Sequence, residues 1–176
     1  MCCDMLLQMV FIHNFVHGDL HPGNIMVKMT EKGPTVCLLD CGIVTQVTKR
    51  DHKAFIDICI ALLKFKGHDA AKLMMDYRGI TDEGAVERFC DGIQDIVEQA
   101  KRERAFEHIS EYVSRICNLA CQYKVALMPD LLNVAMAVKV CEGIALALNP
   151  DLELALVAIP TVLEGQARYL KEKYWG

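Results

Sequence analysis

The segment His17-Gly18-Asp19-Leu20-His21-Pro22-Gly23-Asn24 constrains this chain more than any other. Residues 14–24 are dense in His, Gly, Pro, Asp and Asn, a composition that favours a loop over helix or strand. Before them, Met5, Leu6, Met9, Val10 and Ile12 recur at helical spacing, which predicts a helix over about 4–13 with one broad apolar face. After them, Ile25 to Met29 alternate apolar with other residues, Glu31-Lys32-Gly33-Pro34 is a turn signal, and Val36 to Leu39 is a second β-rich run. Together these predict a hairpin. Asp40-Cys41-Gly42 closes it with a bend, where Gly42 is expected to free the backbone.

From residue 48 onward the patterns are helical. Thr48 before Lys49-Arg50-Asp51 is a capping-box start for a helix to about Lys66, with Gly67 as its stop. A short helix over about 69–77 stops at Gly79, and Thr81, Asp82 and Glu83 open another to about 104. A helix over about 107–123 follows, then one from Met128-Pro129 to about 147 with Pro at a first-turn position. Asn149-Pro150 repeats that start for a last helix to about Tyr169. No fixed-period repeat, low-complexity tract or linker interrupts the chain. The expected fold is mostly α (α+β). Residues 1–48 form the loop, hairpin and Asp-x-Gly bend, and residues 49–176 form a helical bundle behind them.

Composition narrows the function. Of the 176 residues, 53% are hydrophobic, ample material for a core. A net charge of −4 and scattered basic residues exclude a nucleic-acid binder, whose affinity comes from clustered Lys and Arg. Nine cysteines without a CxxC pair or zinc spacing read as small buried hydrophobes in a reducing compartment, and Cys117 and Cys121 share a helical face. Residues 1–16 lack the basic start of a signal or transit peptide. The longest uncharged stretch, Met5 to Gly18, is fourteen residues, short of a membrane span. The chain is therefore expected to be soluble or peripheral. His52, His68 and His108 fall on helices or their ends and are expected to be exposed, whereas His21 is expected to shape the loop. The carboxylates of Asp91 to Glu103 read as a solvated face. Residues 125–163 are apolar on more than one face, so burial is expected there, with a membrane-facing or partner-binding surface as the alternative.

Asp19, Asn24 and Asp40 carry the chemistry. Phosphoryl transfer needs a carboxylate to orient the attacking hydroxyl and oxygen ligands to hold Mg²⁺ against the phosphates. Asp19 and Asn24 are five apart across a loop containing Pro22 and Gly23, which can turn both side chains toward one cavity. The hairpin returns the chain so that Asp40 can face the same cavity.

The order of a catalytic-loop Asp, an Asn five later and an Asp-x-Gly resembles the protein-kinase signature. That resemblance implies Asp19 as the catalytic carboxylate, Asn24 and Asp40 as magnesium ligands, and His17 and Gly42 as structural support. Gly18 stands where kinases carry the Arg that docks an activation loop, and Cys41 replaces the Phe of Asp-Phe-Gly. The whole octet is similar to that of the UbiB, or aarF-domain, family of atypical kinases, above all its animal members. Gln8 with Phe15-Val16-His17, Leu39-Asp40-Cys41-Gly42-Ile43-Val44, Met128-Pro129-Asp130-Leu131-Leu132, Glu142-Gly143 and Leu148-Asn149-Pro150-Asp151-Leu152 extend the likeness over about residues 4–165. It implies a kinase-like C-terminal lobe. It also implies ATP and Mg²⁺ as cofactors, a link to coenzyme Q and lipid metabolism, and a mitochondrial address. Nucleotide and lipid or quinone-precursor partners, or membrane-associated biosynthetic proteins, would follow.

Only sixteen residues precede His17, and they hold no strand-borne Lys, nucleotide loop or Lys-x-Gly-Gln motif. The N-terminal lobe is thus expected to be absent, the chain a fragment or truncated form, and an apolar patch to be left beside the cleft. Two rival readings stand beside the incomplete kinase. One is a non-catalytic interaction or regulatory module. The other is a small-molecule phosphotransferase, which the Pro129 and Glu142-Gly143 pattern disfavours.

Overall fold

The computed structural model describes residues 2–75, 82–103, 109–152 and 154–175. Helix α1 (Cys2–Phe11) leads into strand β1 (Val16–His17), a 3-10 turn (Pro22–Asn24), strands β2 (Ile25–Thr30) and β3 (Gly33–Leu38), and strand β4 (Val44–Thr45). Six helices follow: α2 (Lys49–Leu63), α3 (Gly67–Met74), α4 (Glu83–Glu103), α5 (Ile109–Tyr123), α6 (Pro129–Leu148) and α7 (Leu154–Trp175). The fold is mostly α, with two small antiparallel sheets at one end.

The hairpin of β2 and β3 is tighter than expected, because Thr30 pairs with Gly33 across Glu31-Lys32. Pro34 lies in β3 opposite Met29, next to the closing pair, where its missing N–H removes no ladder bond. The loop expected over 14–24 instead contains β1, which pairs Val16 with Thr45 and His17 with Val44. A two-residue strand has no periodicity to read, and only its distant partner defines it.

Thr48 caps α2 by accepting the Asp51 N–H at 3.1 Å and donating its hydroxyl to the Asp51 carboxylate at 2.6 Å. The helix ends at Leu63 through Phe65 in the left-handed region (φ 57°), before Gly67. Gly67 is the first residue of α3, not the stop of α2. A Cβ there would meet the Gln94 Cα at 2.4 Å, so its smallness lets α3 lie directly on the backbone of α4. Asp82 opens α4 by accepting the Ala85 N–H at 3.1 Å. The stop expected at Gly79, the cap at Thr81 and His108 lie outside the described residues.

Pro129 begins α6 as its position predicts. Asn149-Pro150 does not begin α7. Asn149 caps the end of α6, and its side chain accepts the Asp151 N–H at 3.3 Å in a local turn, so α7 starts at Leu154. The final helix also runs past Tyr169 to Trp175.

Two cores meet along α2. One joins α1, α2, α6 and α7 around Phe11, Phe55, Ile56, Val134 and Val162, with the Phe11 and Phe55 rings stacked at 5.1 Å. The other joins α3, α4 and α5 around Phe89, Ile93 and Ala120. Asp91, Asp95 and Glu98 lie on the solvated face of α4. Two polar residues are deeply buried, His52 against expectation. His52 on α2 is 4% exposed, with Nδ1 2.6 Å from the Tyr169 hydroxyl and Nε2 2.7 Å from the Val10 carbonyl. Glu142 on α6 is 1% exposed, and each carboxylate oxygen accepts a backbone N–H at the start of α5, Ile109 and Ser110, both at 2.6 Å. His68 is exposed as expected and faces Asp91 at 2.9 Å. Cys41 and Cys121 are exposed rather than buried. No helix among the described residues is long and apolar enough to cross a membrane.

Candidate functional site

The polar loop is pinned from below by the leucine of its octet. Leu20 is buried against Leu6 of α1, with Met9, Ile25 and Leu38 packed around them. Asp19 and His21 on either side of it are left exposed. The loop enters through Asn14, which adopts a left-handed conformation (φ 51°) that Asn tolerates well. Its side-chain amide donates to the Val47 carbonyl at 2.6 Å, and its Oδ1 accepts the Val47 N–H at 3.3 Å. This reciprocal pair closes the segment between residues 14 and 47 at its base. Neither Leu20 nor Asn14 stood out in the sequence as part of the site. An apolar residue inside so polar a loop was the available signal.

His17 joins the two motifs. Its Nδ1 lies 3.3 Å from the Asp19 backbone N–H, which can only donate. The ring proton is thereby assigned to Nε2, which donates to the Asp40 carbonyl at 2.5 Å. With both nitrogens engaged, the buried imidazole ties the polar loop to the segment carrying Asp40. Next to it, the Gly18 N–H donates to the Ile43 carbonyl at 2.9 Å. A Cβ at residue 18 would meet the Ile43 Cγ2 at 2.6 Å, so the pairing of β1 with β4 leaves no room for a side chain there.

Asn24 ends the 3-10 turn, whose N-cap His21 accepts the Gly23 N–H on Nδ1 at 3.1 Å. That is the loop-shaping role expected of His21. The Asn24 side-chain Nδ2 donates to the Asp19 backbone carbonyl at 3.1 Å, and the Asn24 backbone carbonyl accepts the Leu39 N–H at 2.9 Å. The Asp40 Oδ1 accepts the Gly42 N–H at 2.7 Å. Gly42 does not use the left-handed region it was expected to need. Its place is instead tight against Asp40, where a Cβ would lie 3.0 Å from Oδ1.

Asp19, Asn24 and Asp40 are therefore linked by short hydrogen-bonded paths, through His17 on one side and through Leu39 on the other. The Asp19 carboxylate, Asn24 Oδ1 and Asp40 Oδ2 have no hydrogen-bond partner among the described residues. No group of three or more His, Cys, Asp or Glu is placed to hold a metal among the described residues. One amide and one carboxylate oxygen lie outside that pattern and suit magnesium, which keeps several waters and takes few protein ligands. Met26, Val27 and Met29 of the hairpin, and Leu39 and Ile43 beside the bend, are exposed apolar residues.

A polar loop, hairpin and Asp-x-Gly bend braced by helices are consistent with a mostly α, kinase-like lobe. Residues 1–74 match the ABC1 atypical kinase-like domain. The "Probable protein kinase UbiB" of Sodalis glossinidius is 30% identical over 94% of this chain and 33% of its own length. A mitochondrial ABC1 family protein of Saccharomyces cerevisiae is 25% identical over 92% of this chain and 32% of its own. The "Probable serine/threonine-protein kinase abkC" of Dictyostelium discoideum is 22% identical over 91% and 33%. Residues 1–74 thus belong to the ABC1 family of atypical kinase-like domains, and similarity to its UbiB members runs over most of the chain. It spans about a third of the length of the curated relatives it matches. No solved structure matches it.

Proposed function

We propose that this chain carries the catalytic-loop and metal-binding half of an ATP- and Mg²⁺-dependent phosphotransfer site of the UbiB type. The observation that carries the reading is the set of three side chains that each keep oxygen free of protein partners. Hydrogen bonds fix the backbone and amide of Asp19, Asn24 and Asp40, yet leave the Asp19 carboxylate, Asn24 Oδ1 and Asp40 Oδ2 unpartnered among the described residues, with Asp19 and Asp40 exposed and Asn24 half-buried. The donation of Asn24 Nδ2 to Asp19 sets the amide flip, so that a hard oxygen points outward. Asn24 and Asp40 would hold the magnesium ion, whose chemistry is to neutralise charge on the phosphates. Asp19 would accept or orient the proton of the attacking hydroxyl or water. His17 would keep Asp19 and Asp40 in register. Phosphate transfer to an acceptor and hydrolysis of ATP use the same parts. The family supports a role in coenzyme Q or lipid metabolism, and the name of the yeast relative supports a mitochondrial setting.

The test is Mn²⁺ binding in the presence of ATP, followed by electron paramagnetic resonance, in the native protein and Asp40→Asn. Loss of one charged ligand is expected to weaken Mn²⁺–nucleotide binding by about tenfold to a hundredfold. Native affinity in Asp40→Asn would remove Asp40 from the site.

The exposure of Asp19 and Asp40 favours a second reading. Catalysis by positioning and electrostatics needs a water-excluded cleft, and this cluster stands open. On that reading the region binds or regulates without turnover. Measurable ATP turnover by this 176-residue chain, abolished by Asp19→Asn, would decide against it.

A further inference from the structure

Helix α7 is apolar on two opposite faces. Ala158, Val162 and Gly165 are buried on one of them, against α1 and α2. A Cβ at Gly165 would lie 2.9 Å from the Phe11 carbonyl oxygen, so this face rests directly on the end of α1. The other face carries Leu156, Pro160, Leu163, Ala167, Leu170 and Tyr174, and all six are exposed. The two ends of this stripe, Leu156 and Tyr174, are 65% and 66% exposed. One exposed leucine on a surface is ordinary, but a continuous line of six apolar residues marks a surface that binds something.

The intervals along the stripe are four, three, four, three and four residues. That is the period of a helix that winds around a second helix, with the six residues at the inward positions of successive heptads. The flanking residues set the direction. Glu164 follows Leu163 and Lys171 follows Leu170 on one flank, whereas Ile159 precedes Pro160 and Gln166 precedes Ala167 on the other. In a parallel pair opposite flanks meet, which would set Ile159 against Glu164 and Gln166 against Lys171, without a pair of opposite charges. In an antiparallel pair of identical helices like flanks meet, and Glu164 of each copy faces Lys171 of the other. The Glu164 carboxylate also lies 2.9 Å from Arg168 of its own helix, which holds it beside the stripe. Side-chain sizes agree with the antiparallel order. It sets Leu163 against Ala167 at the centre and Leu156 against Tyr174 at the ends, whereas the parallel order stacks Ala167 on Ala167 and Tyr174 on Tyr174.

We propose that the outer face of α7 is the interface of a homodimer, in which two copies of the chain pair this helix in antiparallel order. The same stripe serves both copies, as a two-fold contact requires. At 1.5 Å per residue the stripe is about 27 Å long. A single helix pair of that length is at the small end of protein interfaces, so the dimer is expected to be reversible, with a dissociation constant of about 10–50 µM. The inference goes beyond the phosphotransfer reading and stands whether or not the polar cluster transfers phosphate.

Sedimentation velocity of the native chain from about 1 to 500 µM is the test, and a monomer–dimer equilibrium is expected within that range. Leu163→Glu puts a charge at the centre of the contact twice, once from each copy. It is expected to weaken the dimer by about tenfold or more while keeping the helical circular dichroism, because Leu163 is exposed in the single chain. Glu164→Lys and Lys171→Glu each set like charges against each other and are expected to weaken it by about threefold to tenfold. Combining the two exchanges is expected to restore native association, which a parallel pair would not show. Photocrosslinking from p-benzoylphenylalanine in place of Leu156 reads the direction without a charge change, and linkage to the peptide holding Tyr174 of the other copy is expected. A monomer throughout the range, whether or not phosphatidylcholine vesicles bind it, native association in folded Leu163→Glu, a double exchange no better than the single ones, or crosslinks joining the two copies at residue 156 would each overturn the proposal.

Discussion

Glu142 shows how much can rest on one side chain. A helix start leaves its first backbone N–H groups without intrahelical partners, and the helix dipole makes them attractive to an anion. Glu142 fills that need for α5 from another helix, with one oxygen on each of two N–H groups. Because the carboxylate is buried, water cannot replace it when it is removed. Glu142→Ala is expected to cost about 3 kcal/mol or more, and Glu142→Gln about 1–3 kcal/mol, since an amide turns one acceptor into a donor facing a donor. Urea unfolding of both variants against the native protein measures the difference, and equal stability of all three would refute the capping role. The Glu-Gly pair was visible in the sequence only as part of a family likeness. Its partner segment lies about thirty residues away, so no local pattern could assign the function. His17 is different. Its place in the octet already marked it as part of the site, and the fold supplied its partner on Asp40 and the Asp19 N–H from which its tautomer is assigned.

At the scale of elements, helices with a capping residue and an amphipathic stripe were legible, and close approaches were not. Thr48, Asp82 and Pro129 mark their helix starts through interactions within a few residues, which sequence spacing records. Gly67 and Pro150 misled because both have ordinary local meanings, stop and start, that a neighbouring element overrides. A matched pair of substitutions separates the two kinds of glycine. Gly67→Ala drives a methyl group into the Gln94 backbone and is expected to destabilise by about 1–3 kcal/mol. Gly143 lies inside α6 with nothing within 4 Å of an added Cβ, so Gly143→Ala is expected to stabilise by about 0.5–1 kcal/mol. Thermal unfolding reads both, and effects of the same sign would contradict the account of α3 lying on α4.

Across the whole molecule, the ends of the chain are tied together through His52. It bridges the Val10 carbonyl of α1 and the Tyr169 hydroxyl of α7, which stand 42 and 117 residues away from it in sequence. Burial lowers its pKa, against a smaller opposing effect of the bond to Val10. The folded state thus resists protonation more than the unfolded chain does. Above the unfolded value of 6.5 the ring is neutral in both states and its contribution is complete. As pH falls below 6.5, the unfolded chain takes up a proton first and stability declines, by at most about 1.4 kcal/mol per pH unit. Unfolding free energies measured at pH 7.5 and 5.5 should differ less in His52→Gln than in the native protein. An equal difference would place the acid sensitivity elsewhere.

Residue types and spacing by themselves determined the candidate chemistry, Asp19, Asn24 and Asp40 with His17 beside them, and the helix-rich character of residues 49–176. Both are written locally, in a loop of eight residues and in repeats of three to four. What only the tertiary structure decided are the pairings between distant segments: β1 on β4, Asn14 on Val47, Glu142 on α5, and His52 on Tyr169. A strand of two residues and a buried histidine leave no period in a sequence, because each exists only once another part of the chain has been brought against it.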